Sequence, residues 1–158
     1  MNIQQGKLEN YKPIKFIKNK YIISWGLEKI DENQYKWYYF ILNNKPSIND
    51  IKKTINNYVN NVTKNNIENY FYWNDMHIKL TIEDQMDYKL LFDVTMLQDG
   101  ANLPEKIKFK VNNENIYYEI DSIEEFKDFI IKMTNHIRKC VNNSRNIKES
   151  VDYSKFIL

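Results

Sequence analysis

Few side chains in this sequence have the type and spacing to do chemistry. Its two histidines, His77 and His136, each stand alone. Neither has Cys, Asp or Glu at ligand spacing, so neither marks a metal motif. His77 falls on the polar phase of a short alternating run. Cys140, the one cysteine, falls on the apolar phase of a helical pattern, where a thiol acts as a small, inert hydrophobe. Carboxylates gather at Glu83, Asp84 and Asp87, and at Asp121, Glu124, Glu125 and Asp128. Paired carboxylates can serve as acid and base or hold Mg²⁺. Both groups, however, open helical patterns, where capping and the helix dipole account for them. The sequence has no glycine-rich phosphate loop and no serine-centred nucleophile elbow. The expectation is a protein that is not an enzyme and takes no cofactor and no metal.

The remaining chemistry is that of recognition. Trp25, Trp37 and Trp73 lie among many Tyr and Phe residues, with lysines between them. Aromatic strands with interleaved lysines can stack single-stranded nucleic acid. Most rings fall on the phase expected to face a core. Tyr38, Tyr70, Tyr72 and Tyr117 fall on the other phase. They suit either a stacking platform or a protein–protein surface, where Tyr and Trp are favoured. Formal net charge is only +2, so no strongly acidic partner is implied. Arg occurs only at Arg138 and Arg145, which argues mildly against a dedicated phosphate- or base-reading surface.

These residues must be positioned by a chain of 158 residues, long enough for one domain with its own core. A single cysteine excludes an internal disulfide framework. No run of about 18 apolar residues exists, so no membrane span is expected. The N-terminal stretch lacks the apolar segment of a secretory signal. Asn, Ile, Lys and Tyr are heavily used, while Gly and Pro occur three times each; this looks like codon drift in an AT-rich genome.

Along the chain, residues 1–20 read as a basic N-terminal arm with a short strand at Ile14–Ile17. Tyr21–Ile30 and Gln34–Leu42 alternate with period two and form a hairpin around Asp31-Glu32-Asn33. Ser47 and Asp50 box the start of a first helix, whose stripe is Ile48, Ile51, Ile55, Tyr58 or Val59, and Val62. Ile67–Trp73 and Met76–Leu80 read as a second hairpin turned at Asn74-Asp75. Thr81 caps a second helix with Asp84 at its third position, and Ile82, Met86, Leu90, Val94 or Asp93, and Leu97 step at helical spacing. Gly100 is placed to end it in a left-handed conformation, and Pro104 starts an extended segment. Lys106–Val111 and Asn115–Ile120 form a third hairpin with one solvated face. Ser122 and Glu125 open a last helix of about 24 residues, with Ile123, Phe126, Ile130, Met133, Ile137 and Cys140 on its apolar side. Three hairpins, each followed by a helix, predict an α+β fold: a largely antiparallel sheet, ββα three times over, with helices mainly on one face. The expected organisation is the arm at 1–20, a single domain at 21–141 and a C-terminal tail at 142–158.

The stretch Leu80–Leu103, with Glu83-Asp84-Gln85-Met86-Asp87-Tyr88-Lys89 and then Gly100-Ala101-Asn102-Leu103-Pro104, resembles an uncharacterised domain of tail-associated proteins in bacteriophages, especially crAss-like phages of Bacteroides. Gln85, Tyr88, Lys89, Gly100, Ala101, Leu103 and Pro104 match that pattern, while Asp84 stands where Asn is commoner. Pro46 before the first helix, Phe71-x-Trp73 and the Ser122-x-Glu124-Glu125 helix start extend the resemblance over about residues 22–141. It departs after Cys140, where a Gly-Trp-x-x-Lys ending is usual and this chain has Asn142-Asn143-Ser144-Arg145.

The resemblance implies a non-enzymatic structural protein of the virion, in the tail, collar or fibre-attachment region, assembled in the bacterial host cytoplasm. Its partners would be other virion proteins and copies of itself. Gln85, Tyr88, Lys89, Gly100, Leu103 and Pro104 are then structural keys of the fold. The expected interface residues are Lys7, Tyr11, Lys12 and Lys15 of the arm, Tyr38, Tyr70 and Tyr72 of the strands, and Arg145, Tyr153 and Phe156 of the tail. The alternative is an accessory protein that binds single-stranded nucleic acid through an aromatic and lysine-bearing sheet face.

Overall fold

The computed structural model describes residues 1–157. They form eight strands and three α-helices in the order β1 (Asn2–Gly6), β2 (Ile14–Ile17), β3 (Lys20–Lys29), β4 (Tyr35–Leu42), α1 (Ile48–Asn69), β5 (Phe71–Trp73), β6 (Met76–Ile78), α2 (Ile82–Leu97), β7 (Glu105–Val111), β8 (Glu114–Ile120) and α3 (Ile123–Glu149). Single 3-10 turns lie at Leu8–Asn10 and Tyr153–Phe156. The fold is α+β, and the ββα unit recurs three times: β3–β4–α1, β5–β6–α2 and β7–β8–α3. The strands make two antiparallel four-stranded sheets, ordered β1-β4-β3-β2 and β5-β6-β7-β8. Two compact units result. The first is Met1–Asn60 together with the chain from Ser144 on, and the second is Asn61–Asn143. The dividing points fall inside α1 and α3 rather than at 20/21 and 141/142, where the sequence placed them.

In the first unit, β3 and β4 turn Ile23, Trp25 and Phe40 toward Ile51, Ile55 and Val59 of α1. Ser47 and Asp50 close the expected capping box: each backbone N–H meets the other's side-chain oxygen, at 3.0 and 3.2 Å. The Asn-rich helix has little intrinsic preference for its conformation. Burial of those three aliphatic side chains, about 2 kcal/mol each, holds it instead. A bulge after Trp25, with Gly26 at φ +65°, redirects β3; a side chain at Gly26 would meet the Tyr38 ring at 3.0 Å.

The other face of β4 explains why residues 1–20 are not a loose arm. Trp37 is buried yet lies outside the α1-facing cluster. Its cover is local. Tyr11 meets it edge-on with centroids 5.8 Å apart, and Gly6 sits so close that a Cβ there would be 3.3 Å from the indole. β1 pairs with β4 and β2 with β3 in full register. The tail is likewise structural. α3 runs through Asn142-Asn143-Ser144 to Glu149, and Phe156 is 3% exposed within the first unit's core, beside Val151 and Tyr153.

In the second unit, Phe71, Trp73, Ile78, Ile107, Phe109 and Ile120 of the sheet pack on Phe126, Phe129, Ile130 and Met133 of α3. Phe129 was absent from the expected stripe, yet it contacts Phe71, Trp73, Tyr88, Phe109 and Phe126 edge-on or tilted. Residues 67–69, expected in a strand, remain helical, and β5 begins only at Phe71. The largest correction concerns α2. The stripe at i, i+4, i+8 points outward: Ile82 is 67% exposed, Met86 68%, Leu90 65% and Leu97 85%. The buried side is Tyr88, Leu91, Phe92 and Thr95.

Candidate functional site

The chemistry-bearing side chains are engaged in holding the fold. Both histidines serve the C-terminal end of α1, where the last carbonyls lack partners within the helix. His77 Nε2 donates to the Asn69 carbonyl at 2.6 Å. His136 Nε2 lies 3.1 and 3.2 Å from the carbonyls of Asn66 and Ile67. Cys140 Sγ is 4.0 Å from the same imidazole nitrogen, and burial pushes its thiol pKa up, away from the reactive thiolate. The carboxylates cap. Asp84 and Thr81 close a second box, with N–H···O distances of 3.0 and 3.2 Å. Glu125 accepts from the Asp121 backbone at 3.1 Å and also from the Tyr118 hydroxyl at 2.7 Å. Asp128 accepts from Lys132 at 2.8 Å and from the Trp73 indole at 2.9 Å, and these donors hold its carboxyl below the usual range.

Among the described residues, no three His, Cys, Asp or Glu side chains converge on a common metal position. The cleft beside His77, about 330 Å³, is lined by Asn69, Lys79, Lys110, Asn112 and Asn113 and by no carboxylate. It therefore lacks the imidazole–carboxylate pairing of a general base.

The side chains of the Gln85-x-x-Tyr88-Lys89 and Gly100–Pro104 stretch are used internally as well. Gln85 donates its side-chain amide to the Leu80 carbonyl at 3.0 Å, securing the first turn of α2. Tyr88 is buried, and its hydroxyl donates to the Lys108 carbonyl at 3.0 Å. Lys89 pairs with Asp93 one turn along. Gly100 has φ +79° and bonds back to Thr95, a left-handed stop that disfavours a Cβ. Leu103 packs on the second unit's core, and the Leu103–Pro104 bond is cis.

The expected interface residues separate into two sets. Phe156 is core, and Tyr153 is half-buried under Lys52, whose ammonium stands 5.1 Å from its ring. Tyr38 stacks on Trp25 at 5.1 Å, and Tyr11 donates to the Ser24 carbonyl at 3.3 Å. Lys15 is half-buried and reaches the Asn10 carbonyl. Lys7, Lys12, Arg145, Tyr70 and Tyr72 remain exposed.

Two exposed surfaces of the second unit stand out chemically. One is the outward face of β5-β6-β7-β8. Residues directly opposite on paired antiparallel strands share a face. Tyr72 is paired with His77 and stacked on it at 4.7 Å. Lys108 lies opposite Tyr117, Lys110 opposite Asn115 and Lys106 opposite Glu119. Lys79 is joined to Lys110 by a backbone bond of 2.9 Å. The other is the outer side of α2, where Ile82, Met86, Leu90 and Leu97 are flanked by Glu83 and Asp87. Helical spacing alone would make that stripe a candidate core face. The contrary signal was Tyr88, Leu91, Phe92 and Thr95, a second helical stripe with larger rings. No protein-family model, no curated protein and no solved structure matches the chain.

Proposed function

We propose that the chain is a non-enzymatic structural protein of a bacteriophage particle, in the tail, collar or fibre-attachment region, working through contacts with other virion proteins and with copies of itself. One observation carries this reading. The histidines, the cysteine and the capping carboxylates are tied into the fold, while large apolar side chains stand outward along one whole helix. Large apolar side chains grouped on one exposed face mark contact sites. The Gln85-x-x-Tyr88-Lys89 and Gly100–Pro104 resemblance supplies the setting, with assembly in the host cytoplasm. Mass spectrometry of gradient-purified particles tests it: peptides of this chain should co-purify with the particles, and their absence from particles would sink the reading.

A second reading rests on the open sheet face, where Tyr72, Tyr117, His77 and four lysines are exposed or half-exposed together. Such a surface can stack bases and neutralise phosphates. In that case a labelled single-stranded oligonucleotide binds at low salt, with affinity falling steeply as salt rises. Lys108→Glu would lower the affinity and flatten the salt slope by about one. No binding by the wild-type chain at low salt removes this reading.

A further inference from the structure

We infer that the cleft at the seam of β6 and β7 is a phosphate-binding subsite, in which Lys79 and Lys110 hold one phosphate of a single-stranded nucleic acid while the Tyr72 and Tyr117 rings on either side receive its bases. This rests on the second reading above and deepens it by naming which groups meet phosphate and which meet base.

An uncompensated pair of charges carries the argument. Ile78 is paired with Val111, and the Lys79 N–H donates to the Lys110 carbonyl at 2.9 Å, so the two lysines stand directly opposite on antiparallel strands. Their Cβ atoms are then about 5 Å apart on one face, an arrangement in which like charges destabilise a sheet. Both residues are half-buried. Among the described residues, neither ammonium enters an ion pair. Lys106, further along β7, differs: its ammonium lies 3.7 Å from Glu119 across the strand pair.

The surroundings suit a small anion. The cleft, about 330 Å³, is lined by the two lysines with Asn69, His77, Asn112 and Asn113, and by no carboxylate. The two-residue turn Asn112-Asn113, at positive φ in both positions, sets two carboxamides at its rim. Their N–H groups can donate to phosphate oxygens while the lysines act as point charges.

The rings narrow the ligand class. Tyr72 of β5 is paired with His77, two residues before Lys79. Tyr117 of β8 is paired with Lys108, two residues before Lys110. Each ring is thus a diagonal neighbour of one lysine of the pair, about 7–8 Å away, and the two flank the cleft from opposite sides. Both are exposed, and stacking on His77 presets the plane of Tyr72. The diagonal from ring to lysine pair to ring is about 20 Å long, within reach of a short single strand crossing the sheet. A free phosphate or an acidic peptide would leave the rings unused, and a duplex keeps its bases stacked away from them.

Fluorescence anisotropy of a labelled oligothymidine with the full chain at low salt tests the subsite. Wild type should bind. Lys79→Ala and Lys110→Ala should each weaken binding several-fold, and the double variant should flatten the salt slope by about 0.7, the value for one phosphate of a single strand. Lys106→Ala should leave affinity and slope within error. Tyr72→Leu and Tyr117→Leu should each weaken binding about tenfold. Unlabelled polyphosphate, which has no bases, should compete; its affinity should fall in the lysine variants and stay unchanged in the tyrosine variants. All variants should keep the wild-type circular dichroism. Wild-type binding that Lys79→Ala and Lys110→Ala leave intact overturns the subsite and leaves the broader sheet-face reading standing. Polyglutamate that competes as well as polyphosphate, or a duplex that binds as tightly as the single strand, also overturns it. No binding by the wild type removes that reading and this inference together.

Discussion

Tyr88 and Leu90 sit two positions apart on α2 and should respond oppositely to the same truncation. Tyr88 is 4% exposed, donates to the Lys108 carbonyl at 3.0 Å, and meets Phe109 and Phe129 edge-on with centroids at 5.5 and 5.3 Å. Replacing it with Ala removes a ring from a packed core and leaves a cavity, a loss of about 3–5 kcal/mol. Tyr88→Phe keeps the ring and loses the hydrogen bond, about 1 kcal/mol. Leu90→Ala removes a side chain already in water and should change stability by no more than about 0.5 kcal/mol. Urea denaturation followed by circular dichroism measures all three. In thermal melts the Tyr88→Ala loss corresponds to a midpoint lower by roughly 6–20 °C for a chain of this size. A costly Leu90→Ala beside a neutral Tyr88→Ala would refute the assignment of the buried face.

Three further expectations follow from the same structure. Phe156→Ala should destabilise by about 3–5 kcal/mol, because the residue fills the first unit's core; a change within error in urea denaturation would return the C-terminal segment to the status of a free tail. Gly100→Ala should cost about 1 kcal/mol, since φ there is +79° and a Cβ is strained in that region; an unchanged melting midpoint would contradict the left-handed stop. Burial, with Asp84 and Asp87 nearby, pushes the Tyr88 hydroxyl far above its ordinary pKa. The unfolded chain therefore loses that proton first as pH rises past about 10, and stability present below that pH declines above it. Tyr88→Phe should flatten this alkaline loss, and identical slopes for both proteins would contradict it.

Much of the fold was legible in the sequence because local signals were strong. Ser47/Asp50, Thr81/Asp84 and Ser122/Glu125 form the capping contacts that their spacing predicted. The turns at Asn74-Asp75 and Asn112-Asn113 adopt positive φ as Asn and Asp readily do. What was not legible depends on which of two surfaces a partner element covers. α2 has two apolar stripes, and periodicity alone cannot say which one meets the sheet. Trp37 lies on the phase of β4 opposite Phe40, and only the folded N-terminal segment reveals its cover. Phe156 lies in a polar stretch with no periodicity, so its burial is visible only in three dimensions. The exposed helix face was hidden for the same reason: a stripe of Ile, Met and Leu reads as core until something else is found to be the core.

The most direct test of the proposed role is a quantitative proteomic count of this chain in purified, gradient-banded virions, against the major capsid protein as standard. Peptides from both units should appear at a fixed ratio of several copies per particle. Detection in the infected-cell lysate with none in the particles would contradict it.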